Sequence, residues 1–171
     1  MQTDHTMTAD RSNTEPRIDS RQRGILIHLM IENLTKQANL SFSEFCRRNF
    51  LNESDDKLTN YWQQVEQCIT TFPEFFEAEQ YTQAYSEVPV TYKKGDLIVN
   101  GIIDRLVIRN DEAIIIDYKS HQVQDVQQLD KLAAQFRPQL SLYKDGVVML
   151  YPDKQIKTYV IFTAVPACIE V

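Results

Sequence analysis

The segment of residues 101–120, GIIDRLVIRNDEAIIIDYKS, constrains the fold more than any other part of the chain. Two runs rich in Ile and Val flank Asn110-Asp111, a dipeptide typical of a tight turn. The pattern therefore predicts two antiparallel strands, 97–109 and 113–119, joined by this turn. Each predicted strand carries one aspartate, a residue that buried strands rarely contain unless its charge is compensated.

The two aspartates of this hairpin, Asp104 and Asp117, are candidate functional residues. A two-residue turn places them directly opposite each other, with Lys119 one step beyond on the same face as Asp117, whereas a three-residue loop shifts the pairing by one residue. Like charges opposed in a sheet are unfavourable, and a divalent cation held by carboxylate oxygens would compensate them. The alternative is an ion pair of Asp104 with Arg105 or Lys119 at an exposed end of the sheet.

Composition narrows the class of protein. The chain has 171 residues, of which 43% are hydrophobic and 25% charged, enough apolar material for the core of one domain. The net charge of −6 argues against a nucleic-acid binder that acts through bulk positive charge, but not against an enzyme that meets phosphate through bound cations. Because the four glycines open no phosphate-binding loop, we expect this chain to bind no nucleotide cofactor.

Cysteine usage and hydropathy bear on the compartment. Cys46, Cys68 and Cys168 are odd in number and widely spaced, which predicts no disulfide framework, zinc knuckle or iron–sulfur cluster and favours a reducing compartment. The chain contains no apolar run long enough to cross a bilayer. Residues 1–20 are polar and lack the apolar core of a signal peptide, so we expect a disordered leader or linker there and a cytoplasmic protein without a membrane partner.

The order of the predicted elements indicates the fold class. Helices are predicted over 17–36, 41–52 and 54–73, and strands over 81–92, 97–109, 113–119 and 158–165. One helical stretch, 125–151, precedes the last strand, and Pro138 is expected to break or kink it. A short apolar segment, 168–171, ends the chain. This order predicts an α/β (mixed α+β) fold with a central mixed sheet flanked by helices and a helical N-terminal half.

Several motifs together resemble a known family. The runs GIID104R and IIID117YK119S resemble the core of the PD-(D/E)xK nucleases, specifically the RecB-like branch. Upstream, RGILIH28LMIE resembles the histidine-bearing first helix of that branch, and downstream FRPQ139LSLY143 resembles its QxxxY motif. The resemblance covers most of residues 21–165, and it implies a restriction-endonuclease-like core in a nuclease domain of residues 21–171.

The resemblance implies a role for each matching residue. The implied metal ligands are His28, Asp104, Asp117 and the backbone carbonyl of Tyr118, with Glu87 as an additional candidate. The implied catalytic residues are Asp104, Asp117 and Lys119. The Lys119 ammonium would orient the attacking water or stabilise charge on the phosphate oxygens. Gln139 and Tyr143, four residues apart on one helical face, would hold a phosphate oxygen or brace Lys119.

The activity implied by the resemblance is hydrolysis of DNA, as an exonuclease, with Mg²⁺ or Mn²⁺ as cofactor. The chain end, TYVIFTAVPACIEV, resembles the end of the nuclease domain in AddA- or RecB-type helicase–nucleases of DNA repair and recombination. The expected partners are therefore DNA, as a single strand or a duplex end, and helicase motor domains in the parent chain or a partner subunit. Two alternatives remain. One is a nuclease-like module that has lost catalysis and binds DNA ends or acts as a scaffold, and the other is a free-standing exonuclease of phage or CRISPR type.

Overall fold

The computed structural model of the protein describes residues 20–123 and 125–171. The predicted leader or linker of residues 1–20 therefore falls, except for Ser20, outside the described residues. Within the described part of the chain, every helix is too short or too polar to span a membrane.

Four α-helices form the described part of the N-terminal half, followed by a 3-10 turn at Ala78–Gln80. They are α1 (Ser20–Lys36), α2 (Phe42–Arg48), α3 (Asp56–Thr71) and α4 (Pro73–Phe76). Side-chain caps fix two of the starts, because Ser41 Oγ accepts the backbone N–H of Glu44 at 3.2 Å and Asp55 Oδ1 accepts that of Lys57 at 2.8 Å. The predicted helical N-terminal half is confirmed.

Five strands form one mixed sheet. They are β1 (Gln83–Lys94), β2 (Leu97–Ile108), β3 (Glu112–Lys119), β4 (Gln155–Phe162) and β5 (Ala167–Glu170). The strands lie in chain order, and all neighbours are antiparallel except β3 and β4, which are parallel. The predicted fold class, a mixed sheet flanked by helices, is confirmed. The apolar end of the chain adds the edge strand β5 to the predicted set.

The connection from β3 to β4 differs from the prediction of one helix broken at Pro138. A short 3-10 segment (Val126–Gln128) leads into α5 (Leu129–Ala134), and α6 (Arg137–Leu150) follows after a break at residues 135–136. Pro138 lies in the first turn of α6. Proline is tolerated there because the N–H groups of a first turn have no partner within the helix. Pro138 therefore begins a helix instead of interrupting one.

The sheet separates two apolar clusters and carries the core. One face packs against α1 to α4 through side chains that include Ile31, Phe45, Val65 and Ile116. The other face packs against α5 and α6 through side chains that include Ile115, Leu140 and Val147. Because β3 and β4 are parallel, their carboxyl ends meet at one edge of the sheet, and Asp117, Tyr118 and Lys119 end at that edge.

The register of the central hairpin matches the predicted two-residue turn. The N–H of Arg109 donates to the carbonyl of Glu112 at 2.9 Å across Asn110-Asp111. The pairs of the ladder run from Ile108–Ala113 to Arg105–Ile116. One further step of this register brings Asp104 alongside Asp117, but the ladder itself ends before that step.

Candidate metal centre and active site

Asp104 lies where the β2–β3 ladder stops. Its Oδ2 accepts the backbone N–H of Tyr118 at 2.7 Å, so a side chain takes the place of a strand carbonyl at this position. The carboxylate lies against the carboxyl end of β3, and the Asp104 side chain is 12% exposed. The N–H at the end of the ladder thus sets the orientation of the Asp104 side chain.

Glu87 reaches the same place from β1. It lies opposite Asp104, between the regular pairs Ser86–Arg105 and Val88–Ile103, and its φ is +54°. A non-glycine residue in the left-handed region is uncommon and costs on the order of 1 kcal/mol or more. This local departure from the ladder places the carboxylate of Glu87 beside that of Asp104.

His28 completes a group of three ligand-type side chains. From α1, its Nδ1 lies 3.5 Å from Asp104 Oδ1 and 4.0 Å from Glu87 Oε1. One nitrogen or oxygen atom from each of these residues lies within 4.8 Å of the others. The Nε2 of His28 lies 3.2 Å from the backbone carbonyl of Tyr118, the predicted backbone ligand. A cavity of about 400 Å³ borders His28 and Glu87.

Burial changes the ionisation of both aspartates. Desolvation raises the pKa of Asp104 to about 6, because the nearby His28 and the Tyr118 N–H only partly offset it, while the charges of Asp117 and Glu87 raise it further. Burial also raises the pKa of Asp117, although the Lys119 ammonium works in the opposite direction. Two buried carboxyl groups with raised pKa values mark this place as a candidate functional site.

Asp117 and Lys119 form an ion pair next to this group. Lys119 Nζ lies 2.7 Å from Asp117 Oδ2, and the side chain of Asp117 is 5% exposed. Lys119 therefore pairs with Asp117, whereas the alternative drawn from the sequence paired it with Asp104. Asp117 lies outside the group of His28, Glu87 and Asp104. Asp117 Oδ2 is buried against the Lys119 ammonium. Such an oxygen, with a histidine and two carboxylates close by, fits the oxygen-rich ligand set of Mg²⁺ or Mn²⁺.

Phe136 is a residue of this site that the sequence motifs did not reveal. Lys119 Nζ lies over the Phe136 ring, 4.3 Å from its centre, which is a cation–π contact. The ring is held in the break between α5 and α6, directly before the QxxxY helix. The only signal in the sequence is its position three residues before Gln139, and that spacing carries no chemistry by itself.

Gln139 and Tyr143 contact each other on α6. Gln139 Nε2 donates to Tyr143 Oη at 2.9 Å, as the predicted shared helical face requires. Tyr143 is buried against β2, where a Cβ added to Gly101 would lie 2.4 Å from its ring. No hydrogen bond joins this pair to Lys119 among the described residues. Contact with a phosphate stays a prediction.

Arg105 turns away from the acidic group. Its Nε donates to the backbone carbonyl of Phe75 at 2.8 Å, and its guanidinium lies over the ring of Phe76 on the face of α4. The alternative of an ion pair between Asp104 and Arg105 is therefore wrong.

Comparison with known proteins identifies the family of the chain. A family model described as the PD-(D/E)XK nuclease superfamily matches residues 4–165. The chain belongs to this superfamily. Among curated relatives, an ATP-dependent helicase/nuclease protein from Clostridium acetobutylicum is 32% identical over 63 residues, which are 37% of this chain and 5% of that protein. The exonuclease/helicase protein RexA of Lactococcus lactis subsp. cremoris is 27% identical over 121 residues, 66% of this chain and 10% of the relative.

The chain therefore spans only a small part of the length of the relatives that it matches. An ATP-dependent helicase/nuclease protein from Clostridium kluyveri is 22% identical over 160 residues, which cover 81% of this chain and 13% of the relative. Among solved structures, a candidate exonuclease from Eubacterium rectale matches with a TM-score of 0.46 and 15% identity over 89% of this chain and 58% of that chain.

Proposed function

We propose that the protein is a DNA nuclease that depends on Mg²⁺ or Mn²⁺ and acts as an exonuclease. The observation that carries this proposal is the convergence of His28, Glu87 and Asp104 from three separate elements onto one point. In the proposed site these three side chains, Asp117 and the backbone carbonyl of Tyr118 hold the metal. Asp104 and Asp117 are thus both ligands and catalytic residues.

The chemistry proposed is hydrolysis of a phosphodiester. When bound, the cation supplies Lewis-acid polarisation of the scissile phosphate and lowers the pKa of the attacking water. The water forms the new P–O bond and the bond to the 3′ oxygen breaks, which leaves 5′-phosphate and 3′-hydroxyl ends. The Lys119 ammonium donates hydrogen bonds to the attacking water or to the charged phosphate oxygens.

Asp117 and Phe136 position that ammonium. The carboxylate lies 2.7 Å from Nζ and the aromatic ring covers another side at 4.3 Å from its centre, so the flexible lysine chain is restrained at its tip. Restraint of a donor before reaction avoids an ordering cost in the transition state. Gln139 and Tyr143 are proposed to contact a phosphate oxygen through the amide and the phenol.

We further propose that the protein works with helicase motor domains, in its own parent chain or in a partner subunit. The relatives named as helicase/nuclease subunits support this, since the chain matches only 5–13% of their length. The proposed setting is DNA repair and recombination in the cytoplasm. Co-purification of a helicase with the protein from its native cell would test the association.

The activity is tested with end-labelled single-stranded and double-stranded DNA in Mn²⁺ or Mg²⁺ at low salt. We expect cleavage that EDTA abolishes, and no cleavage by Asp104→Asn. The matched control is Asp96→Asn, which removes one exposed carboxylate from the β1–β2 turn and should cleave like the wild type. Equal activity of the wild type and Asp104→Asn, or full activity in EDTA, would contradict the proposal.

A further inference from the structure

A second cavity lies beside the proposed catalytic residues. It has a volume of about 420 Å³ and is lined by side chains of α1, α3 and the segments that follow β3 and β4, among them Arg23, Lys57, Asn60, Tyr61, Gln64 and Ser120. Ser120 directly follows Lys119 in the chain, so this cavity reaches the carboxyl end of β3. The carboxyl ends of parallel strands are a common place for ligands in α/β proteins.

The cavity and the metal centre lie on the two sides of one helical turn. Arg23 lines this cavity, whereas the next residue, Gly24, lines the cavity that also contains His28 and Glu87. The turn packs closely on the end of β3, because a Cβ added to Gly24 would lie 3.5 Å from Ser120 Oγ. The two cavities therefore border the same turn of α1.

The charge of the cavity is opposite to that of the protein. Its described lining contains the cations Arg23 and Lys57 and no carboxylate, in a chain of net charge −6. The Nε of Arg23 is buried and has no hydrogen-bond partner in the described part of the chain. An unsatisfied buried donor is costly, and a guanidinium matches the paired oxygens of a phosphate. The lining thus favours an anionic ligand with phosphate geometry.

Tyr61 supplies an apolar surface in the same cavity. The residue packs against the helical core cluster, and it lines the cavity together with Asn60 and Gln64. Aromatic rings of this kind stack on the bases of single-stranded nucleic acids. The volume is within the roughly 300–1,000 Å³ of small-ligand sites, which suits one unpaired nucleotide.

From these observations we propose that the cavity binds the nucleotide next to the scissile phosphate of a single DNA strand. The inference rests on the nuclease function proposed above and specifies its substrate as single-stranded DNA. Arg23 and Lys57 hold the flanking phosphate, and Tyr61 stacks on the base. None of the three touches the reacting atoms, so their role is in substrate binding.

The phosphate contact is tested by fluorescence anisotropy with a labelled 12-nucleotide single strand in EDTA, where cleavage does not occur. One single-strand phosphate contact contributes about −0.7 to the slope of log K against log salt, roughly eightfold in affinity at 50 mM salt. We expect Lys57→Ala to weaken binding by about that factor and to reduce the slope by about 0.7. The matched control, Lys93→Ala, removes an exposed lysine of β1 and should stay within about twofold of the wild type.

The base contact is tested with strands that carry one abasic sugar at successive positions. At a single position, loss of the base should weaken binding to the wild type and to Tyr61→Phe by about tenfold, as expected for one stacked base. Tyr61→Leu should bind both strands with similar, weaker affinity. Equal losses for Tyr61→Leu and Tyr61→Phe at every position would overturn the stacking assignment, and hairpin duplex that competes as well as the single strand would overturn the substrate assignment.

Failure of this inference and failure of the nuclease function give different results. If the wild type cleaves DNA and the Lys57 and Tyr61 variants bind DNA like the wild type, the assignment of the cavity is wrong and the nuclease function stands. If the wild type does not cleave DNA in Mn²⁺ but its DNA binding depends on Lys57 and Tyr61, the nuclease function is wrong and the cavity stands as a DNA-binding site.

Discussion

Replacement of Asp104 by Asn should stabilise the metal-free protein at neutral pH. Asn keeps the shape and the oxygen that accepts the Tyr118 N–H, but it removes a carboxylate whose pKa burial raises from 3.8 to about 6. A carboxyl group whose pKa is higher in the folded protein than in the unfolded chain makes its full contribution to the unfolding free energy below about pH 4. That contribution is lost as the pH rises through about 6. At pH 7.5 the wild type therefore carries an unfavourable charge that the variant lacks.

The size of the effect follows from the same pKa difference. The interval between 3.8 and about 6 corresponds to about 3 kcal/mol of unfolding free energy. Asn accepts a weaker hydrogen bond than a carboxylate, and this removes about 1 kcal/mol of the gain. We expect a net stabilisation of about 1–3 kcal/mol, which raises the melting temperature by roughly 3–9 °C for a chain of this length.

The assay is thermal unfolding by circular dichroism in EDTA at pH 7.5 and pH 4.5, and in millimolar Mn²⁺ at pH 7.5. The advantage of Asp104→Asn in EDTA should shrink markedly at pH 4.5, and Mn²⁺ should stabilise the wild type by about 2.7 kcal/mol at 100 times its Kd but the variant far less. Asp96→Asn, at an exposed turn, should change stability by less than about 0.5 kcal/mol. A variant that is less stable than the wild type in EDTA at pH 7.5 would refute the reasoning.

Asp117→Asn is a second test of the same charge balance, with a smaller expected gain. Burial raises the pKa of Asp117 as well, so the variant should also be more stable than the wild type in EDTA. The gain is smaller than for Asp104→Asn because the change removes the ion pair with Lys119 and leaves that ammonium without its carboxylate.

Three further predictions concern side chains around the reacting groups. Phe136→Leu should lower kcat about tenfold with little change in KM or metal affinity, because it removes the cation–π restraint on Lys119 and keeps an apolar side chain in the core. Phe136→Tyr should retain the rate, and equal losses in both variants would contradict this. Tyr143→Phe should slow cleavage but keep the Mn²⁺ affinity measured by calorimetry, whereas His28→Ala should weaken that affinity. The same loss of Mn²⁺ affinity in both variants would contradict the assignment of His28, and not Tyr143, as a metal ligand. Gly101→Ala should destabilise the protein by about 1–3 kcal/mol in urea unfolding, because the new Cβ would lie 2.4 Å from the Tyr143 ring; an unchanged midpoint would show that the ring moves aside at no cost.

The hairpin of β2 and β3 was predictable because its information is local. A two-residue turn and an alternating apolar pattern determine which residues lie opposite each other, and both are visible in the sequence around Asn110-Asp111. The position of Asp104 beside the end of β3 follows from that register. The placement of His28 against it came only from the family resemblance, because contacts between a helix and a distant strand leave no periodic signal.

Other details of the site depend on geometry that the sequence does not display. The positive φ of Glu87 allows its carboxylate to join His28 and Asp104, and glutamate is not a residue that normally marks such a conformation. Phe136 meets Lys119 because the helical stretch breaks at that residue, whereas Pro138 suggested a later break. The sequence pattern allows an ion pair of Asp104 with Arg105 or Lys119, and only the structure shows that Asp117 is the carboxylate that pairs with Lys119.

The hydrogen bond from the Tyr118 N–H to Asp104 Oδ2 makes one backbone amide a reporter on the site. In most of the sheet an amide proton exchanges with solvent when strands separate, but this proton is released when a single side chain swings away. Its exchange rate thus measures local opening of the acidic group, independently of unfolding of the domain. A cation that fixes the carboxylate would slow this one proton more than its neighbours in β3, so occupancy could be followed in solution without DNA and without turnover.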